Sequence, residues 1–311
     1  MLNPPASSPS PRGGGGGWGE RGREAAEWSK VDLHLHTTSS DGVFRPSELV
    51  NLALERSLEV IAITDHDSTG GVDEAQAAAI ATGLEVIAGV ELNTDVIPGE
   101  AHILGYYLRH HDTKLRELLA QRRAARLTRG EEMVHKLTAL GLEVSWDRVQ
   151  ALAGAHTGGV VGRPHVAQAL CERGYVATTQ EAFEKYLGRD GPAFVPYEKF
   201  SPEQAIQVIR HAAGVPVLAH PTSLPDWEER LPALIEAGLA GLECYYGTYL
   251  PETVVALATR AAVHGLIATG GSDFHGPTVS AWTTSLGGTP VPREAAEALK
   301  TRRPTDAAPA L

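Results

Sequence analysis

The sequence predicts an α/β protein whose strands close, or nearly close, into a barrel. Short apolar runs alternate with helical patterns, and seven such strand–helix units recur along the chain. An open doubly wound sheet is the alternative for this alternation. No G-x-G-x-x-G or G-x-x-x-x-G-K-[ST] loop follows any of the strands, which argues against that alternative.

The first half of the barrel has the clearest strand signals. In the first strand, residues 31–35, apolar and polar residues alternate, so His34 and His36 leave on one face. Pro46 stands in the first turn of a helix predicted over 46–57. Further strands are predicted at 59–64, 84–91 and 101–107, with a second helix at 71–81.

The second half repeats the pattern with strands at 215–219, 239–244 and 266–269. A well-marked helix precedes the first of them. Ser201 is its expected N-cap, Pro202 its first helical residue, Gln204 the capping-box partner and Gly214 its C-terminal stop.

The chain divides into a tail, a barrel and a C-terminal segment. Residues 1–27 are rich in Gly, Pro and Ser and predict a disordered tail. Residues 28–290 form the barrel, and 291–311 a final helix and tail. Residues 113–190 lack a convincing strand and predict a helical insertion that covers one mouth of the barrel as a lid, with helices at 115–140, 164–173 and 180–187.

Four arginines lie on the first helix of the insertion: Arg122, Arg123, Arg126 and Arg129. They could attract a nucleotide backbone. A solvated helix face paired with Glu131 and Glu132 is the preferred interpretation.

Composition limits the partners. The net charge of -11, from 27 basic and 38 acidic side chains, argues against broad binding of duplex nucleic acid. The negative net charge is still compatible with a small anionic substrate that is held by metals and one or two arginines. No apolar run resembles a signal peptide or membrane span, so a cytoplasmic protein without membrane contact is expected. Cys171 and Cys244 have no C-x-x-C partner and predict reduced, buried thiols.

Metal-type residues recur at or near the predicted strand ends. His34 and His36 end the first strand, Asp65-His66-Asp67 the second and Glu91 the third; His102 lies in the fourth, and His220, Asp273 and His275 follow later strands. In an α/β barrel the C-terminal strand ends converge on one mouth. The recurrence therefore predicts a multinuclear metal site there.

The motifs HLHTTSSDG, TDHD, GVELN with AHILGYY, VLAHP and GGSDFH resemble those of the PHP (polymerase and histidinol phosphatase) family of metal-dependent phosphoesterases. The resemblance runs from about residue 31 to 282. It implies a distorted (β/α)7 barrel holding three divalent metals. The insertion and the Gly162-Arg163-Pro164-His165 segment resemble the subgroup of 3′,5′-nucleoside bisphosphate phosphatases and RNase AM-type 5′-to-3′ exoribonucleases.

The resemblance implies a ligand set for each metal. The first would take His34, His36, Glu91 and Asp273; the second Glu91 as a bridge, His102 and His220; and the third Asp41, His66 and His275. Manganese is the first expectation for a nitrogen and oxygen ligand set without thiolates, with zinc, iron or magnesium as alternatives.

The expected reaction is hydrolysis of a terminal phosphate from a small nucleotide or a short RNA 5′ end, through a metal-activated water. Histidinol phosphate is a rival substrate, and a non-catalytic, metal-stabilised interaction module is a rival class. Asp65 is expected to orient His66 from behind. Arg163 and His165 are expected to form a phosphate clamp beside the metals, because Arg offers two parallel donors to phosphate oxygens. In the alternative interpretation both residues have a purely structural role: Arg163 pairs with an acidic residue at the surface, and His165 packs under its helix.

Overall fold

A computed structural model of the chain describes residues 29–96, 99–154, 160–196, 199–277 and 285–304. The predicted disordered tail lies outside these ranges. Seven strands form one mixed sheet in chain order, which confirms the nearly closed barrel. The strands are β1 (Val31–Leu35), β2 (Val60–Ile63), β3 (Glu85–Asp95), β4 (Glu100–Tyr106), β5 (Val215–Leu218), β6 (Gly241–Tyr246) and β7 (Ile267–Gly271).

The seam between β1 and β7 nearly closes the barrel. Leu35 forms a parallel bridge with Phe274 just beyond β7. The buried Asp32 carboxylate accepts hydrogen bonds from the backbone N–H groups of Ser272 and Gly287, both at 2.9 Å. A Cβ on Gly271 would lie 2.4 Å from the His34 Cβ, so the close approach of the two strands requires glycine there.

β3 and β4 form an antiparallel hairpin, and no helix separates them. β4 is also antiparallel to β5, whereas the other neighbouring strands are parallel. The expectation of seven uniform strand–helix units is therefore wrong at this point. Glu91 lies inside β3 rather than at its end, and His102 lies near the start of β4. Because β4 runs in the opposite direction, its beginning reaches the same mouth as the ends of its parallel neighbours.

Ten α-helices accompany the strands within the described ranges. They are α1 (Pro46–Glu55), α2 (Val72–Ala78), α3 (Thr113–Ala139), α4 (Trp146–Leu152), α5 (Arg163–Glu172), α6 (Thr179–Ala182), α7 (Pro202–His211), α8 (Trp227–Glu236), α9 (Pro251–Val263) and α10 (Arg293–Thr301). None of the described helices is long and apolar enough to cross a membrane. Both cysteines are unpaired, as predicted; Cys244 is buried and Cys171 partly buried.

The predicted capping box of α7 is confirmed. Ser201 Oγ accepts from the Gln204 N–H at 3.2 Å, and Gln204 Oε1 accepts from the Ser201 N–H at 2.9 Å. The predicted stop is displaced, because the left-handed residue after the helix is Ala213, with φ of 57°. Gly214 is needed for space instead, since a Cβ there would lie 2.6 Å from Leu108 Cδ2.

The segment between β4 and α7 contains α3 to α6 and a π-helical turn at Phe183–Leu187, so the predicted helices of the insertion are confirmed. The N-terminal half of α3 packs on the barrel, with Leu115 and Leu119 in the same apolar cluster as Ile206. From Met133 onward the insertion forms an apolar cluster of its own, shared with α4, α5 and the π-helical turn. The first half of α3 thus makes the apolar contact between the insertion and the barrel.

The prediction of a solvated arginine face on α3 is wrong for three of the four residues. Arg122, Arg126 and Arg129 are only 7–9% exposed. Arg126 Nε lies 2.7 Å from Asp67 Oδ2, Arg129 Nε donates to the Val195 carbonyl at 2.8 Å, and the Arg122 guanidinium lies 4.4 Å from the Phe200 ring centre. This face points inward because it finds carboxylate, carbonyl and aromatic partners on other segments, which helical periodicity does not specify.

Candidate active site

The first group of predicted ligands surrounds one point at the mouth of the barrel. β1 directs the buried imidazoles of His34 and His36 to the same face, where both Nε2 atoms lie 3.3 Å from Glu91 Oε2. The same two nitrogens lie 3.3 and 3.1 Å from Asp273 Oδ1. One ligand atom from each of the four residues fits within a 4.8 Å span, which is compatible with one divalent ion.

The second and third groups adjoin the first. Glu91 Oε1 lies 2.8 Å from His102 Nδ1 and 3.3 Å from His220 Nε2, which makes Glu91 common to two groups. The third group gathers around Asp41, whose Oδ1 lies 3.2 Å from His275 Nε2 and whose Oδ2 lies 3.7 Å from His66 Nε2. His36 also belongs to this third group, an overlap that the sequence did not predict.

The donor atoms of this cluster test whether metal ions fit. Five buried polar atoms of the ligand cluster have no hydrogen-bond partner within the described part of the chain: His34 Nε2, His36 Nε2, His66 Nδ1, Asp41 Oδ1 and Glu91 Oε2. Each such atom costs roughly 1–3 kcal/mol if nothing satisfies it. Because imidazole nitrogens and carboxylate oxygens without thiolates are good ligands for divalent cations, bound metals would remove this cost. The residues present fit a metal centre.

The electrostatics of the cluster favour positive charge. Burial opposes ionisation of Glu91, Asp41 and Asp273, yet the surrounding imidazoles hold the pKa of each carboxyl well below its usual range. Burial likewise disfavours the His36 imidazolium, but Asp273 and Glu91 raise the pKa of His36 to about 10. Protons and metal ions compete for the imidazole nitrogens, so the ionised carboxylates that favour protonated imidazoles here would also attract metal cations.

Glu243 is a buried residue of the site that the sequence analysis missed. It is fully buried on β6; its Oε1 lies 2.9 Å from His34 Nδ1, and its Oε2 accepts from the backbone N–H of His220 at 2.7 Å. These contacts turn His34 Nε2 toward the cluster and fix the position of His220. The sequence does contain an indication of this role: Glu243 lies in the apolar run Leu242-Glu243-Cys244. A carboxylate that is buried in such a run requires a polar partner.

Asp65 contacts different groups from those predicted. Its carboxylate accepts from the Thr37 N–H and hydroxyl, each at 2.7 Å, and from Ser40 Oγ at 2.6 Å. Ser40 Oγ lies 3.5 Å from His36 Nδ1. No hydrogen bond joins Asp65 to His66 in the described ranges, so Asp65 shapes the loop after β1 and reaches the cluster through Ser40.

Arg163 and His165 open α5, as predicted, but face different neighbours. Arg163 lies 2.5 Å from Glu100 Oε1, and Lys199 Nζ lies 2.7 Å from the same oxygen. These residues border a cavity of about 270 Å³ lined by Asp95, Gly99, Glu100, Arg129, Arg163, Arg189, Phe194, Pro196 and Lys199. Glu100 Oε2 lies 4.0 Å from His102 Nε2, so this cationic cavity borders the second ligand group.

His165 lies close enough to Asp41, His66 and His275 of the third ligand group to feel their charges. Its Nδ1 accepts from the Gly162 N–H at 3.0 Å, which leaves the proton of a neutral imidazole on Nε2. Burial lowers the pKa of His165; the Asp41 carboxylate opposes this effect, and the Arg126 guanidinium adds to it. The joint phosphate clamp of Arg163 and His165 stays a prediction; in the structure Arg163 contacts Glu100, and His165 lies near Asp41, His66 and His275.

Comparison with known proteins agrees with the geometry. The PHP domain profile matches residues 32–188. The chain is 37% identical over 252 residues to the 5′-3′ exoribonuclease Rnm of Salmonella typhimurium, covering 79% of this chain and 85% of that protein. It is 33% identical over 253 residues to a 3′,5′-nucleoside bisphosphate phosphatase of Chromobacterium violaceum, covering 80% and 88%.

A solved structure shares the fold. It is a candidate metal-dependent phosphoesterase from Bifidobacterium adolescentis, with a TM-score of 0.78 and 33% identity over 88% of this chain and 96% of the other. The profile match covers half of the chain, and both named relatives exceed 30% identity over most of it. The chain is a phosphoric ester hydrolase and belongs to the PHP family.

Proposed function

We propose that this phosphoesterase removes a terminal phosphate from a small nucleotide that carries a second phosphate, either a nucleoside 3′,5′-bisphosphate or the 5′ end of a short RNA. The observation that carries this proposal is the cationic cavity beside His102. If one phosphate of the substrate binds at the cluster, the adjoining cavity can hold the next anionic group of the same substrate.

The cavity matches a subsite better than a complete pocket. Its volume of about 270 Å³ is below the roughly 300–1,000 Å³ typical of whole small-molecule sites. Its four cationic side chains, Arg129, Arg163, Arg189 and Lys199, outnumber the carboxylates of Asp95 and Glu100, so the lining favours an anion. Phe194 adds an apolar surface beside these charges. A second phosphate with part of its ribose has this chemistry.

Three divalent cations, with manganese the expected ion, are proposed for the cluster. His34, His36, Glu91 and Asp273 would hold the first, Glu91, His102 and His220 the second, and Asp41, His66 and His275 the third. When bound, they would supply an activated water and neutralise charge on the phosphoryl oxygens. The chain's own contribution is to place these ligands rigidly, through Glu91 at the centre and Glu243 behind His34.

His165 is proposed as a hydrogen-bond donor to the phosphate being removed. Because Nδ1 accepts from the Gly162 N–H, the Nε2–H is available as a donor. In the hydrolysis, a water oxygen forms a bond to phosphorus, the ester P–O bond breaks, and the leaving oxygen gains a proton. A donor near that oxygen would stabilise its developing charge.

A substrate screen tests the proposal. Metal-reconstituted protein is assayed against adenosine 3′,5′-bisphosphate, adenosine 5′-monophosphate, a 5′-phosphorylated oligoribonucleotide, a blunt RNA duplex and histidinol phosphate. We expect the highest kcat/KM on the bisphosphate or the single-stranded RNA, with Glu91→Ala as the inactive control. A preference for histidinol phosphate would contradict the nucleotide assignment. Absence of turnover on the bisphosphate and on the single-stranded RNA would contradict the proposed substrate class.

Residues 113–190 are proposed as a lid over the mouth. Arg126 on α3 pairs with Asp67 beside His66, and the Val160 N–H donates to the Ser40 carbonyl at 3.0 Å, so the insertion contacts loops of the site. Because Leu115 and Leu119 belong to the barrel core, a useful excision begins after them. A Gly/Ser linker in place of residues 130–190 should retain metal but reduce the preference for the bisphosphate over p-nitrophenyl phosphate. Loss of metal would show that the insertion is part of the barrel's core.

A further inference from the structure

Two adjacent histidines and one aspartate converge on the surface, on segments separate from the nine cluster residues. His110 Nε2 lies 2.8 Å and His111 Nε2 3.2 Å from the same atom, Asp73 Oδ1. The two imidazole rings are 4.1 Å apart between centroids. One ligand atom from each of the three residues falls within a 4.8 Å span. Two nitrogens and one oxygen therefore point at one small volume.

The backbone holds this arrangement from both sides. The turn that carries His110 and His111 is fixed where the Leu108 N–H donates to the Ala88 carbonyl at 3.1 Å and the Arg109 N–H to the Ala212 carbonyl at 2.8 Å. On its other side, Asp112 caps α3 by accepting from the Leu115 N–H at 3.0 Å. The imidazoles are thus carried by a turn that is ordered by the barrel and by α3, so little ordering would be required on binding a ligand.

Asp73, which contacts the two histidines, is also held in place by the fold. Asp73 lies in the first turn of α2, whose neighbouring residues Val72 and Ala75 are buried in the core. Its own side chain is 60% exposed, that of His111 is 64% exposed and that of His110 is 13% exposed. Solvent can therefore reach the group, and an ion can enter and keep water ligands.

We propose that Asp73, His110 and His111 form a surface site for a borderline divalent cation of the zinc, nickel or copper class. Neutral imidazoles with one carboxylate are a donor set of such ions, which bind nitrogen ligands more tightly than manganese does. The ion would replace the Nε2 protons that now face the carboxylate oxygen. It would join α2 to the turn that leads into α3, and so link the barrel to the base of the insertion.

Zinc content tests the site in the full-length protein. Wild type, Asp73→Asn, His111→Ala and the exposed-histidine control His264→Ala are stripped by a chelator and dialysed against one zinc buffer. We expect the two site variants to hold one zinc fewer per chain than wild type and His264→Ala. Because Asp73 and His111 are exposed, both variants should fold, and turnover after reloading with manganese should equal that of wild type.

Amide hydrogen exchange gives a local readout. In wild type, zinc at about ten times its Kd should slow exchange in residues 108–113 by about tenfold, and the slowing should disappear in His111→Ala. Equal zinc content in all four proteins, or no slowing in wild type, would overturn the proposal. Loss of turnover in both site variants would also overturn it, since the residues would then belong to the catalytic centre. The substrate screen is independent of all these outcomes.

Discussion

The histidine cluster and the cationic cavity adjoin each other at Glu100 but are built in different ways. The cluster comes from strands and the loops next to them, and the contacts between its neighbouring members measure about 2.8–3.7 Å. The cavity takes Arg129 and Arg163 from the insertion and Lys199 from the segment that follows it. The barrel therefore supplies the ligand cluster, while most of the cationic side chains of the cavity come from the insertion and the segment after it.

The largest effect is expected from removing the residue shared by two ligand groups. Glu91→Ala should lower bound metal and reduce kcat/KM by about a thousandfold or more, because several kcal/mol of charge stabilisation is lost. Metal analysis and steady-state kinetics measure the two effects. Glu85→Ala is the matched control, since Glu85 lies on the same strand and contacts Lys300 at the surface. Near-normal turnover of Glu91→Ala would refute the shared centre.

Glu243→Gln should produce the next largest effect. The glutamine side chain has one carbonyl acceptor, so it cannot accept from both His34 Nδ1 and the His220 N–H. We expect a loss of about 10- to 100-fold in manganese affinity, measured by electron paramagnetic resonance. The melting temperature should fall relative to the exposed control Glu252→Gln, because the substitution leaves one buried polar group without its partner. An unaltered affinity would remove Glu243 as a positioning residue.

Lys199→Ala separates the cavity from the cluster. Losing a charged contact to a second phosphate costs roughly 1.5–3 kcal/mol, so kcat/KM for adenosine 3′,5′-bisphosphate should fall about ten- to a hundredfold. Metal content and turnover of p-nitrophenyl phosphate should be unchanged. Lys185→Ala, which removes an exposed lysine paired with Glu181, serves as the control. Equal loss on both substrates would place Lys199 at the cleaved phosphate.

The smallest predicted effect is a dependence on pH. Burial lowers the pKa of Lys199 to about 8 against the opposing effect of Glu100. Lys199 is therefore mostly charged below pH 8 and mostly neutral above it. Because its charged fraction falls from about one half at pH 8 to about one tenth at pH 9, the ratio of KM for the bisphosphate to KM for the monophosphate should rise by about fivefold over that interval. Lys199→Arg, which stays charged, should flatten this rise. The same rise in both proteins would exclude Lys199 as its cause.

The sequence by itself was sufficient for the strands and for most of the cluster. Alternation in β1 shows that His34 and His36 share a face, and strand ends in a barrel meet at one mouth. His220 and Asp273 follow β5 and β7, and Glu91 lies on β3, so their convergence required only the fold class. These relations are local or follow from topology, which explains why residue patterns predicted them.

Tertiary structure decided the features that depend on partners distant in the chain. The reversal of β4 follows from its pairing with β3 and β5. Arg126 is buried because Asp67 lies opposite it, and Arg163 meets Glu100 while His165 lies near another ligand group. Helical periodicity gives the face on which a side chain lies but not the group that it meets. A charged side chain is buried only when that group offsets its desolvation, so its environment is determined by the completed fold.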